Sequence, residues 1–390
     1  MLHWLTFSVR TISLKEGVEV LAADPDADDG LLFDPGRRPW DPRKILDICP
    51  SLLTITVLDV MTVPTFQGEI DPYWERIELA ELRLAHFSVR EYLTSDYLRQ
   101  CDNKLSFFHF DQKMANTTIA KTCLAYLLQF TQHGCVNSST KESYPLSDYA
   151  AYHWMDHARE DGGDSDTLHR LIMDFLQPHG ALYTNWLLFR WRSRQKSLPL
   201  YDTALGGLKR ATECLLEDGS DVNAVGGHYG SALQASSLKG HEDIVRLLLE
   251  KGADVNMEGG VYGSALQAAS SQGHESIARL LLEKGADANV HGGDYANALQ
   301  AASFEGHEDI VRLLLEKGAD VNIDYGSALY AASSRGHENI VRLLLEKGAE
   351  AGVRGALKIA SSKGHGAVAA LLEAHFTVNG NRTAVFVDRN

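Results

Sequence analysis

Five Gly-His pairs place His241, His274, His307, His337 and His365 at intervals of 33, 33, 30 and 28 residues, so their imidazoles recur in register. Such a column could titrate together near neutral pH or hold metal ions. Stacked helices lie ~10 Å apart, too far for neighbouring rings to share one ion. A histidine that opens a helix also sits at the positive end of the dipole, which disfavours its protonated form. The spacing therefore predicts neutral capping histidines and no metal.

The first half holds the other reactive side chains: Cys123, Cys135, His109, His133, His153, His157, Asp148 and Asp156. A nucleophile and a base could be drawn from them, yet no Gly-x-Ser-x-Gly elbow or His-Glu-x-x-His helix frames such a pair. His153 and His157 are four residues apart and share a helix face, but no third ligand signal stands near them, which marks a structural pair. Cys49, Cys101, Cys123, Cys135 and Cys214 are odd in number and irregular in spacing. Neither a disulfide framework nor a zinc knuckle is indicated, and a reducing compartment is expected. These patterns predict a protein that is not an enzyme and carries no cofactor.

With 390 residues, 44% of them hydrophobic and 23% charged, the chain has room for two or three folded domains. Its 37 Lys and Arg against 52 Asp and Glu leave a formal net charge of −15, and the acid is spread over both halves. Nucleic acid is not expected as a partner, because no basic face is visible. The short cluster Arg190, Arg192, Arg194 and Lys196 falls where a solvated linker is expected. No apolar run approaches the ~18 residues of a spanning helix, and the start lacks a secretory pattern. The expectation is no membrane and a cytoplasmic location, with the nucleus also open.

The elements around the histidines repeat with them. One unit begins at Ser231 as SALQASSLKGHEDIVRLLLEKGADVN, again at Ser264, Asn297 and Ser327, and in decayed form at Gly355; Leu200–Asn223 matches it at a shift of 33. Ser231 can cap a first helix that Gly240 ends in the left-handed conformation. Glu242 and Asp243 then open a second helix at its positive end, and Gly252 closes it. Asp254 and Asn256 suit the turn that leads to a finger. This unit resembles the ankyrin repeat, with Ser-Ala-Leu-Gln in place of the usual Thr-Pro-Leu-His. The resemblance implies an α-solenoid of five to six repeats over residues 199–375, a tail at 376–390, and a protein partner bound on the finger tips and first helices.

On those surfaces the repeats differ at Val225, His228, Glu258, Val261, His291 and Asp294 in the fingers, with Asp324 in a shortened fourth one. On the first helices they differ at the pairs Leu238-Lys239, Ser271-Gln272, Phe304-Glu305 and Ser334-Arg335. One tyrosine recurs per finger, Tyr229, Tyr262, Tyr295 and Tyr325; these could pack finger on finger or offer a ladder to a partner. Asn256 to Ser264 spans eight steps and Asn322 to Ser327 five, so the fingers shorten. Binding is therefore expected to centre on residues 223–305, with Phe304 as the apolar anchor.

Residues 1–100 read as helix, helix, two strands and helix. Ser13 and Glu16 form a capping box for a helix to about Ala22, 43–49 is helical, Leu52–Val57 and Leu82–Leu84 form a hairpin, and Ser88 and Glu91 cap a helix stapled by Phe87 and Tyr92. That order suits a winged-helix-like domain. Residues 101–198 are read as a helical domain and linker, with helices at Thr118–Phe130, Leu146–Arg159, Leu168–Leu176 and Ala181–Trp191. The strings HFSVREYL, CLAYLL and YPLSDYAAYHWMDHAR, and WLTFSVR at Trp4, resemble the region that follows the NACHT domain in fungal NLR-like (STAND) proteins. The phosphate loop of that domain is not in these residues, so ATP chemistry is not implied. Two readings follow: a recognition protein, or the C-terminal part of a NACHT signalling NTPase. Leu2, Trp4, Leu5 and Phe7 would then present an apolar patch and promote self-association.

Overall fold

The computed structural model of the chain describes residues 1–24, 32–39, 41–47, 51–57, 80–100, 109–131, 136, 140–177, 180–190 and 197–387. They are mainly helical and fall into two compact units, Met1–Gln195 and Lys196–Asn390. Cys49, Cys101, Cys135, His133, Arg192, Arg194, Lys196 and the side chain of Tyr325 lie outside the described residues.

In the first unit, α1 (Leu2–Phe7) is followed by β1 (Ile12–Ser13) and α2 (Leu14–Ala22). The expected capping box forms: the Glu16 amide donates to Ser13 Oγ, and the Ser13 amide donates to the Glu16 carboxylate at 2.7 Å. The same carboxylate is buried and receives both ends of the Arg10 guanidinium, at 3.0 and 2.6 Å. A fork on a carboxylate offsets the cost of burying it. β2 (Leu53–Val57) and β3 (Ala80–Leu84) pair antiparallel as expected, but β1 adds to the other edge of β3, giving the order β1-β3-β2. Gly17 lets α2 lie on this sheet, since a Cβ there would stand 2.3 Å from Leu82.

Three local expectations are corrected. Helix α3 (Phe87–Leu93) is capped by His86, whose Nδ1 accepts from the Ser88 amide at 3.2 Å, so Ser88 lies inside the helix rather than at its cap. Phe87 and Tyr92 are 69% and 49% exposed, and no staple closes between them. Trp4, expected at the surface, is only 2% exposed and lies 5.0 Å from the Tyr149 ring. The predicted patch loses its largest member, because α1 packs on α5 (Gln112–Leu127).

After α4 (Asp96–Gln100), the helices α5, α6 (Thr140–Ser143), α7 (Ser147–Glu160), α8 (Asp166–Phe175) and α9 (Ala181–Arg190) complete the unit. α5 starts six residues before the expected Thr118, because Asp111 caps it by accepting from the Met114 amide at 3.0 Å. Trp154, Phe175 and Trp186 meet edge to face at 5.6 to 6.0 Å and form the centre of the core.

His153 and His157 do not converge on a common point. His153 pairs with Asp156 at 3.3 Å, whereas buried His157 lies in a relay: the Val9 amide donates to the Tyr149 hydroxyl, the hydroxyl to His157 Nε2, and Nδ1–H to Asn116 Oδ1. This assignment uses every proton of a neutral imidazole. Burial pulls the His157 pKa down to about 4, and it pushes the Cys123 thiol well up.

The second unit is six helix pairs: α10 (Pro199–Gly206) with α11 (Lys209–Glu217), α12 (Ala232–Lys239) with α13 (Glu242–Glu250), α14 (Ala265–Gln272) with α15 (Glu275–Glu283), α16 (Ala298–Glu305) with α17 (Glu308–Glu316), α18 (Ile323–Arg335) with α19 (Glu338–Glu346), and α20 (Val353–Ser362) with α21 (Gly366–Val387). First helices stack on first helices, and second helices stack on second helices. Residues 376–387, expected as a tail, continue α21. Ile244, Val245, Leu247 and Leu248, and their counterparts in later repeats, are buried between layers.

Candidate interaction surface

The frame that carries the fingers is built from the repeated side chains. Each Gly-His histidine was expected to cap its own helix, but none of His241, His274, His307 and His337 makes a side-chain cap bond there. Their Nε2 atoms reach back instead. His274 meets the Leu238 carbonyl at 3.1 Å, His307 that of Ser271 at 3.4 Å, His337 that of Phe304 at 3.1 Å and His365 that of Ser334 at 3.2 Å. The N–H donated by each ring satisfies a carbonyl orphaned at the end of the preceding first helix. The neighbouring glycine is required twice over: Gly240 has φ +76, and a Cβ on it would stand 2.6 Å from the His274 ring.

Asparagines bridge the turns in the same way. Asn256 Nδ2 donates to the Gly285 carbonyl at 3.1 Å and its Oδ1 accepts from the Asp287 amide at 2.8 Å; Asn223, Asn289 and Asn322 repeat this bridge. In two repeats the glutamine that replaces the usual histidine ties the first helix to the next finger. Gln234 donates to the carbonyls of Gly259 and Gly263, and Gln267 to those of Gly292 and Ala296. Three fingers are closed by a bond across the loop: Gly226 to Gly230, Gly259 to Gly263 and Gly292 to Ala296. Backbone bonds from Val261 to His228 and from Asp294 to Val261 join one finger to the next. The fourth finger is not merely shortened, since α18 already begins at Ile323.

On this edge the aromatic residues form a continuous row. Tyr229 and Tyr262 centroids are 5.9 Å apart, Tyr262 and Tyr295 are stacked at 6.1 Å, and Tyr295 meets the Phe304 ring at 5.9 Å. Arg335 lays its guanidinium 4.1 Å over Phe304. The Tyr295 hydroxyl donates to Glu305 at 2.8 Å, and partial burial together with that bond pushes its pKa up to about 12.

Exposure divides the expected partner residues into three groups. Val225, His228, Lys239, Glu258, Gln272, His291, Asp294 and Glu305 are exposed, Val225 to 66%. Tyr229, Val261, Tyr262, Tyr295 and Phe304 are half-buried in the row and its finger bonds. Leu238 is 6% exposed and is corrected from surface to core; it faces the neighbouring layer rather than solvent. Sequence reasoning missed two contacts: the Arg335 stack, and the pair of His291 with Asp324 at 3.0 Å, which links the third finger to the start of α18. Both join repeats through positions that vary, so the period carries no sign of them. Among the described residues, no group of three or more His, Cys, Asp or Glu could hold a metal ion, and no helix is long and apolar enough to cross a membrane.

Residues 258–325 match the family described as ankyrin repeats (3 copies), and residues 230–259 and 326–356 each match an ankyrin repeat. This part of the chain is made of ankyrin repeats. The chain is also similar to the azaphilone pigments biosynthesis cluster protein L of Monascus ruber, at 30% identity over 269 residues. The alignment takes in 63% of this chain and 53% of that protein, so the chain spans about half the length of the curated relative it matches.

Proposed function

We propose that this protein is a non-enzymatic recognition protein that docks a protein partner on the finger edge and first-helix ends of residues 223–305. One observation carries the reading: exposed side chains that differ from repeat to repeat, Val225, His228, Glu258, His291 and Asp294, stand on a frame whose histidine and asparagine bonds recur from boundary to boundary. Interfaces draw their specificity from such variable side chains on a rigid support. Phe304 serves as a narrower anchor than its sequence suggests, because Arg335 covers one face of the ring. Short random peptides displayed against the full chain test the reading. Enriched peptides are expected to slow amide exchange within residues 223–305, and protection confined to the second helices would overturn it.

The finer reading makes the chain a cytoplasmic sensor part of an NLR-like protein, with residues 1–100 as a winged-helix-like domain and a NACHT domain encoded upstream. It is supported by the order of the strings that become α3, α5 and α7. Mapping the 5′ end of the transcript tests it: a continuous frame carrying a phosphate loop is expected, and a transcript whose frame carries none would sink it.

A further inference from the structure

Resting on the recognition reading above, we propose that the occupant of the finger edge is a basic segment whose arginines stack on the tyrosine row. The first observation is the row itself, in which Tyr229, Tyr262 and Tyr295 are half-exposed and their centroids lie about 6 Å apart. Its far end already takes a guanidinium, since Arg335 sits 4.1 Å over Phe304. An aromatic face attracts a cation, and a planar guanidinium both stacks on a ring and forks onto a carboxylate.

The second observation is charge. The turn and finger segments 219–231, 252–264, 285–297 and 318–327 together carry seven Asp or Glu and no Lys or Arg. Glu258 and Asp294 are exposed in the second and third fingers, and Glu305 accepts from the Tyr295 hydroxyl at 2.8 Å. An acidic rim about a row of aromatic rings complements a cationic chain. It repels an acidic one and gives little to a neutral one. The net charge of −15 adds a longer-ranged attraction of the same sign.

Fluorescence anisotropy of the full chain with labelled peptides tests this. The probes share one Gly-Ser spacing and differ only in carrying Arg, Lys or Glu at the same positions. The Arg peptide should bind at least about threefold tighter than the Lys peptide, and the Glu peptide should not bind. Tyr262→Ser should weaken the Arg peptide about fivefold or more, and Tyr262→Phe, which keeps the ring, should restore it. Arg335→Gln frees the Phe304 face and should tighten the Arg peptide, whereas Lys284→Gln, which removes the same charge outside the row, should change it much less. Should Tyr262→Ser not fold, Glu258→Gln with Asp294→Asn carries the test, with weaker Arg binding expected. Equal Arg and Lys affinities that ignore the rings would mean charge attraction only and would overturn the proposal. Display peptides that are neutral or acidic yet protect residues 223–305 would leave the recognition reading intact and reject the basic occupant; no protection there would remove both.

Discussion

Two single positions show how local chemistry sets stability. Ala296 has φ +58 where the preceding fingers place Gly230 at φ +97 and Gly263 at φ +79. A Cβ in the left-handed region costs on the order of 1 kcal/mol. Ala296→Gly should therefore stabilise the second unit by about 0.5–1 kcal/mol, read by circular dichroism as a higher urea midpoint with an unchanged slope. A lower midpoint would show that the strain is not felt. His157 acts through protons. Its folded pKa of about 4 lies below the ordinary 6.5, so as pH falls from 6.5 the unfolded chain takes up a proton that the folded unit refuses. Stability of the first unit should drop between pH 6.5 and 4, by on the order of 2–3 kcal/mol. Tryptophan fluorescence reads this cleanly, because all six tryptophans precede residue 192. His157→Gln should flatten the slope; an unchanged slope would assign it to other groups.

At the scale of elements, the boundary between repeats is held by one ring and one missing side chain. His274→Ala leaves the Leu238 carbonyl without its donor and should cost about 1–2 kcal/mol in urea unfolding. Gly240→Ala adds backbone strain and a contact with the His274 ring, and should cost about 2 kcal/mol or more; near-neutral results would show that the layers slide apart freely. What the sequence discloses follows from range. The capping box at Ser13, the helix ends at Gly240 and Gly273, and the period of the fingers are local, so they are legible in residue order. β1 is only Ile12–Ser13 and exists because β3 lies beside it, and no propensity marks a strand of that length. The destination of each histidine, 31 to 36 residues back on the preceding first helix, is likewise a product of stacking. The variable edge was legible as a set of positions. Burial of Leu238 and the cover of Phe304 by Arg335 were not, because both depend on the next layer.

For the whole molecule, the second unit carries its own stability. Its bridging bonds from Leu205 to Ala351 connect neighbours only, which makes the array a sum of layers and boundaries. The fragment 197–387 should fold alone, with a helical spectrum and a cooperative urea transition; a featureless spectrum would show that it leans on the rest of the chain. The periodic boundary also reaches into heredity. Residues 242–256 and 308–322 are identical, EDIVRLLLEKGADVN, and repeats that alike are prone to unequal recombination. Recombination between them would excise residues 257–322 and join Asn256 to Ile323, and Asn256 would inherit the bonds that Asn322 makes to Gly348 and Glu350. The shortened chain would close without a misfit while losing two tyrosines and two acidic fingers, so copy number alone could alter what the protein recognises without first breaking its fold.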